Sequence, residues 1–380
     1  MNICLITPGI NKKFNDNYHA YKKIANKGNN ILAISNTENI NKGGNIQKSP
    51  EYEIDGSLVI HRIFRSIKEQ QSFVRRLSYK KKIYKLVSEF RPDVIFCEEI
   101  SNLRLALDLK QKYKVPIVLR TEFAFDKKHP YRSMGRLLKL FRNPLTGDSI
   151  SIFVGGLIWK WAYINTDAVI SCYHEDVLKE PLEENTPFYY VPWPTYFPNI
   201  ESNVKKLKDR AIFIGAFDPH KNLKELLVTI PKLLDESPLE EFCVVGSGEH
   251  IGIIEELKTR YPNSIKYFKS LSREECLKLI QNSYLSYSPA TRGGWGFIGD
   301  SWAMGTPVVV THNHYGFCDG IDSIVTSPDE IVKRVNSLYE NETEFNKIKD
   351  GGHNRFLKNH TAEAVGLRFL EICKSVIKLK

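Results

Sequence analysis

The residues best placed to do chemistry lie in one run, Pro289-Ala290-Thr291-Arg292-Gly293-Gly294-Trp295-Gly296-Phe297-Ile298-Gly299-Asp300-Ser301-Trp302-Ala303-Met304-Gly305-Thr306-Pro307. Its pattern is a strand end, a glycine-rich loop, a helix, and a second strand beginning at Pro307. Glycine lets backbone come within hydrogen-bonding distance of phosphate oxygens, and a helix N-terminus adds unpaired N–H groups and partial positive charge. The expected ligand is a pyrophosphate. A carboxylate at Asp300 can accept hydrogen bonds from two hydroxyls, although an aspartate there also suits a helix N-cap. Two further segments read as strand ends with loops: Phe213-Ile214-Gly215-Ala216-Phe217-Asp218-Pro219-His220-Lys221-Asn222, and Val244-Val245-Gly246-Ser247-Gly248-Glu249. Taken alone, a Gly-Ser-Gly is weak and a lysine at a helix start is commonly just solvated. His312-Asn313-His314 has the wrong spacing for a metal site and no cysteine near it, so no metal is expected.

These residues need a frame to hold them. A chain of 380 residues exceeds one ordinary core and suits two domains. Apolar residues at 42% and charged residues at 26% fit a globular protein. Short β-rich runs alternate with helical stretches throughout, the pattern of an α/β fold with parallel sheets and crossover helices. In the first half, strands are expected at Asn2–Ile6, Asn30–Ser35, Leu58–Arg62, Val94–Cys97, Pro116–Leu119 and Ala168–Ser171, with helices over Ser78–Phe90 and Asn102–Tyr113. The series restarts after Trp193-Pro194-Thr195-Tyr196-Phe197-Pro198, with strands at Arg210–Ile214, Glu241–Val245, Ile265–Phe268, Leu285–Ser288 and Pro307–Thr311. The expected division is 1–195, 196–360 and a final helical stretch 361–380 that packs back toward the first domain. Two doubly wound units in tandem imply a ligand cleft. Residues 36–56, rich in Asn, Gly and Lys, read as an exposed loop.

Met1 to Gly9 lacks the basic start of a secretion signal, and the apolar stretch Ile150–Ile164 is interrupted by Gly155, Gly156 and Lys160, short of the roughly 20 residues of a membrane span. Seven cysteines form no CxxC pair and several lie in apolar runs, as buried thiols in a reducing cytoplasm would. The net charge of +10 sits wholly in residues 1–195, with 30 Lys and Arg against 20 Asp and Glu. Such a field favours an anionic partner: a phospholipid surface, an acidic or pyrophosphate-linked glycan, or nucleic acid. Much of it clusters between Arg62 and Lys85, where basic residues interleave with Phe64, Phe73, Tyr79 and Tyr84. Peripheral membrane contact and a plain solvated helix face are both open readings of that segment.

Asp300-Ser301-Trp302-Ala303-Met304-Gly305-Thr306-Pro307-Val308-Val309, with the two upstream glycine segments in the same order, resembles the retaining GT-B glycosyltransferases of family four. The resemblance is clear from about residue 210 and weaker before it. It implies two Rossmann-like domains facing each other across a cleft, a nucleoside-diphosphate sugar donor held by the second domain, and an acceptor held by the first. It implies donor-binding roles for Gly215, Lys221, Gly246, Gly248, Arg292, Gly293, Gly294 and Asp300. Lys221 would neutralise the diphosphate, Gly246 and Gly248 would border base and ribose, and Asp300 would accept the ribose hydroxyls. A family arginine is replaced by Ala216, and the first acidic residue of the family motif is missing, Arg292 or Gly293 standing in its place.

In the first half, strand ends at Glu98-Glu99 and at Arg120-Thr121-Glu122 resemble family strands that close on the acceptor. Glu122 stands where the family often has a histidine, and a carboxylate there can orient or deprotonate an acceptor hydroxyl. Pairing with Arg120 is the alternative for Glu122, and Glu98 is a further candidate. The expected function is metal-independent transfer of a hexose, without a cofactor, to a glycan or lipid-linked acceptor. A non-catalytic sugar-binding protein, an epimerase, and a transferase acting on nucleic acid are the alternatives.

Overall fold

The computed structural model describes residues 1–12, 16–40, 46–71, 73–121, 161, 164–172, 186–195, 206–291 and 294–378. They divide into two compact units, Met1–Pro194 with Ala362–Lys380, and Thr195–Thr361. The calls on Glu122, Arg292, Gly293 and the basic stretch 127–142 lie outside the described residues.

The first unit is built on an eight-stranded sheet: β1 (Asn2–Ile6), β2 (Asn30–Asn36), β5 (Tyr52–Asp55), β6 (Leu58–Phe64), β7 (Val94–Glu98), β8 (Ile117–Thr121), β9 (Ala168–Ser171) and β10 (Phe188–Tyr190). A separate antiparallel pair joins β3 (Glu38–Ile40) to β4 (Ile46–Lys48). The order in the large sheet is β10-β9-β8-β7-β1-β2-β6-β5, parallel except where β5 turns back on β6. Every residue of β7 and β8 is buried, as strands covered on both faces must be.

The side-chain alternation of β1 divides the core. Ile3 and Leu5 pack with α1 (Asp16–Asn26) and the terminal α11 (Ala362–Lys378). Cys4 and Ile6 pack on the other face with α3 (Phe73–Phe90), which comes after the short α2 (Ile67–Gln71), and with α4 (Ile100–Tyr113). A Cβ at Gly366 would stand 2.6 Å from the Ala20 carbonyl oxygen, so the missing side chain is what lets α11 lie against α1.

The second unit carries a six-stranded parallel sheet in the order β13-β12-β11-β14-β15-β16, from β11 (Leu207–Ile214), β12 (Glu241–Val245), β13 (Ile265–Phe268), β14 (Ser283–Ser288), β15 (Val308–Val310) and β16 (Ile324–Val325). Its helices are α5 (Leu226–Glu236), α6 (Ile251–Arg260), α7 (Arg273–Asn282), α8 (Trp295–Ala303), α9 (Ile331–Glu340) and α10 (Glu342–Asn359). One apolar cluster joins α5, α6 and α9 to the sheet.

Two expectations need correction. The loop expected over 36–56 contains β3, β4 and β5, three strands too short and polar to announce themselves by alternation. Arg62 is not part of a solvent-facing basic patch: it is 2% exposed, donating to the carbonyls of Ile10 and Pro50 and to Glu53. Phe64 is likewise buried, its ring edge-on to Tyr79. Basic residues still line the outer face of α3 at Lys81, Lys82 and Lys85. Five cysteines are buried while Cys318 is exposed, and burial pushes the thiols of Cys4, Cys243 and Cys373 up to about 12. Among the described residues no helix is long and apolar enough to cross a membrane.

Candidate functional site

Each sheet has a point where the chain leaves in one direction and returns to build in the other, and open α/β sheets hold ligands outside the strand C-termini at such points. In the second unit it falls between β11 and β14. Gly215 follows β11, and Gly294, with φ +81°, is the N-cap of α8 after β14. A Cβ at Gly294 would lie 3.8 Å from Lys221 Nζ and 3.7 Å from Ser288 Oγ, and one at Gly215 would lie 3.8 Å from Lys221 Cε. Three residues singled out in the sequence, Gly215, Lys221 and Gly294, therefore meet at one place. The ammonium stands beside the first turn of α8, where backbone N–H groups have no helical partner.

Lys221 closes a short 3-10 turn, Pro219–Lys221, its N–H donating to the Asp218 carbonyl at 3.1 Å. Burial holds its ammonium below the ordinary lysine range, and the Asp218 carboxylate opposes that shift. A cation and a helix N-terminus converging on one spot suit an anion with several oxygens.

Gly246 and Gly248 have a packing reason of their own. At φ +152°, a Cβ on Gly246 would fall 1.9 Å from the Gly215 carbonyl oxygen, and one on Gly248 would fall 2.8 Å from that of Phe217. The loops after β11 and β12 are laced together by Gly215 N–H to Val245 O at 3.0 Å and Phe217 N–H to Ser247 O at 2.9 Å. These glycines bring the second loop against the one that follows β11.

Asp300 stands well inside α8 and does not open it; Gly294 holds the N-cap, so the capping alternative falls. Its carboxylate is buried and paired in two-pronged fashion with Arg273, at 2.6 Å from Nη1 and 2.8 Å from Nη2. Arg273 is the first residue of α7, behind a capping box in which Ser272 and Glu275 serve each other's backbone. The sequence did offer a signal for this pair. A cation in the first turn of a helix opposes the dipole and needs another partner.

In the first unit the corresponding point lies between β1 and β7. Glu98, at the end of β7, accepts from Arg120 Nη1 at 2.8 Å and from the hydroxyls of Tyr21 and Thr7. Arg120 is 1% exposed, and its guanidinium lies 4.4 Å over the Trp193 ring. Burial, and then the Glu98 charge, push the Tyr21 phenol well above its usual range. Around this core Gln70 donates to the Thr7 carbonyl and to Asn102, each at 3.0 Å, and Asn36 donates to Gln70 at 2.8 Å. Glu98, a weaker candidate than Glu122 in the sequence, thus has both oxygens engaged in tying the strand ends together. Glu99, next in the chain, has φ +69° and ψ 139°, an uncommon conformation for a residue with a side chain.

The comparisons accord with this geometry. Residues 199–355 match the family model described as glycosyl transferases group 1. YqgM of Bacillus subtilis (strain 168), an uncharacterized glycosyltransferase, is 20% identical over 198 residues, which cover 49% of this chain and 55% of that protein; the chain spans about half the length of this curated relative. Sucrose-phosphate synthase from Thermosynechococcus elongatus shares the fold with a TM-score of 0.73 at 12% identity, over 100% of both chains. HepE of Anabaena, solved in complex with UDP, has a TM-score of 0.65 at 13% identity over 99% of this chain and 100% of that one. Residues 199–355 thus match the glycosyl transferases group 1 model, and the chain as a whole has the GT-B fold, two parallel-sheet α/β units.

Proposed function

We propose that the chain transfers a hexose from a nucleoside-diphosphate sugar, bound by the second unit, to a glycan or lipid-linked acceptor bound by the first, with retention of configuration. One observation carries the donor half of this reading: Lys221 Nζ stands beside Gly294 at the N-terminus of α8. As the bond from the anomeric carbon to the leaving phosphate lengthens, negative charge grows on the diphosphate. A fixed ammonium and oriented backbone N–H groups stabilise that charge with little reorganisation. Neither a metal nor a cofactor has a part in this scheme. The UDP held by HepE, a protein of the same fold, makes UDP-sugars the first donors to try.

Asp300 is the proposed ribose contact, and its two-pronged pairing with Arg273 holds the carboxylate in place. Glu122 remains the proposed acceptor-side carboxylate. The outer lysines of α3 support an anionic acceptor or a headgroup surface near it. One observation favours binding without transfer: Arg292 or Gly293 occupies the place of the acidic residue that the family motif puts against the transferred sugar.

Turnover separates the two readings. In a screen of UDP-, GDP-, ADP- and dTDP-sugars, one nucleotide series should stabilise the protein against heat and release its diphosphate slowly. Lys221→Ala and Asp300→Ala should each lose that release by about a hundredfold, the scale of one transition-state contact. Binding with no release in the presence of varied acceptors would leave a sugar-binding protein.

A further inference from the structure

The second unit buries a carboxylate that none of the sequence motifs called for. Glu225 lies one turn beyond Lys221, in the 3-10 segment Leu223–Glu225, with its side chain 10% exposed. Three donors and a histidine nitrogen, from three parts of the unit, converge on it. Oε1 accepts from Tyr287 Oη of β14 at 2.6 Å and from the Thr311 hydroxyl just past β15. Oε2 accepts from Asn222 Nδ2 at 2.7 Å and stands 3.2 Å from His312 Nε2. Asn222 Nδ2 is also 3.3 Å from that histidine nitrogen.

Asn222 is the residue after Lys221, and it holds a left-handed conformation, φ 50° and ψ 42°. Asparagine tolerates that region better than most residues, but nothing in an isolated turn would keep it there. Here the amide is fastened to Glu225, and Glu225 is fastened to the C-terminal ends of β14 and β15. The turn bearing Lys221 is thereby pinned to the strand whose following loop leads into α8. A carboxylate only 10% exposed is costly to bury, and its contacts with Tyr287, Thr311, Asn222 and His312 offset that cost only while the turn stays in this place.

We infer that Glu225 is a positioning residue for the donor diphosphate: through Asn222 it holds Lys221 Nζ at the N-terminus of α8. The inference rests on the reading that Lys221 meets the diphosphate, and a double-mutant cycle tests the two apart. Equilibrium binding of UDP, GDP, ADP and dTDP is measured by calorimetry on the wild type, Lys221→Ala, Glu225→Gln and the double variant. Glu225→Gln keeps the size of the side chain and an oxygen for Tyr287 and Thr311, but turns an amide toward Asn222. For the diphosphate that binds best, it should weaken affinity about tenfold, the scale of one hydrogen bond to a charged group. In the Lys221→Ala background the same change should cost less than twofold, because the group it positions is gone.

Full additivity of the two losses would reduce Glu225 to a general stabiliser and overturn the inference, as would wild-type affinity in Glu225→Gln. Undiminished binding by Lys221→Ala would instead remove the reading beneath it. Asn222→Gly cuts the same tie from the other end while accepting the positive φ, and it carries the cycle if Glu225→Gln does not fold. Rescue of Glu225→Gln by Asn222→Asp, which exchanges donor and acceptor across the contact, is expected to recover most of the lost affinity.

Discussion

At the scale of single residues, Lys221 is where sequence and geometry agree, and its environment has a pH consequence. Burial disfavours the ammonium and sets its pKa below that of a free lysine, against the smaller pull of Asp218. A diphosphate binds the protonated form, so affinity is full well below that depressed pKa and falls as pH rises through it, earlier than an exposed lysine would release its hold. Binding should take up protons in that window, which calorimetry in two buffers of different ionisation enthalpy would register. Lys221→Arg, always charged, should abolish the alkaline loss; an affinity flat across the window in the wild type would contradict the assignment. Lys221 and Gly294 were legible because the order of motifs carries them. Arg273 offered only the hint of a cation in a helix's first turn and Glu225 none, because their partners Asp300 and Thr311 lie 27 and 86 residues away and side-chain pairing at that range leaves no periodicity in the chain.

At the scale of elements, the apolar runs told most. The final helix runs over Ala362–Lys378 as its Leu and Ile spacing predicts, and β12 over Glu241–Val245 likewise. Where burial is not the cause of structure, the reading faltered. β3 and β4 form from Glu38 to Lys48 with scarcely an apolar residue beyond Ile40 and Ile46. Proline explains the late start of β15: Pro307 has no N–H for the ladder, and the paired residues begin at Val308. Helix α3 starts at Phe73, five residues before the expected Ser78, and its aromatic and basic residues part company. Tyr79 and Tyr84 turn to the core while Lys81, Lys82 and Lys85 face out. That narrower stripe argues for electrostatic attraction with little insertion. Vesicles with anionic lipid should bind the protein at low salt and release it as salt rises, and Lys81→Glu with Lys82→Glu and Lys85→Glu should weaken binding by about 1 kcal/mol or more for each lysine lost. Equal binding to neutral vesicles would point away from this face, and a stronger salt-sensitive affinity for duplex nucleic acid would favour the polyanion alternative.

At the scale of the whole chain, two sheets built on the same principle each gather polar groups at the point where their winding reverses. In the second unit that gathering is a lysine beside a helix N-terminus; in the first it is a buried carboxylate tied to Arg120, Tyr21 and Thr7. Composition and alternation were enough to expect two doubly wound units, because both follow from burial along the chain. The donor sugar, the nucleobase and the acceptor follow from loops, whose conformations depend on distant contacts more than on local pattern. The most direct measurement is a crystal structure of the chain with the nucleoside diphosphate that binds it best. Phosphate oxygens should lie within about 3 Å of Lys221 Nζ and of the first backbone N–H groups of α8. A diphosphate seated elsewhere, with Lys221 turned away from it, would contradict the donor site proposed for this chain.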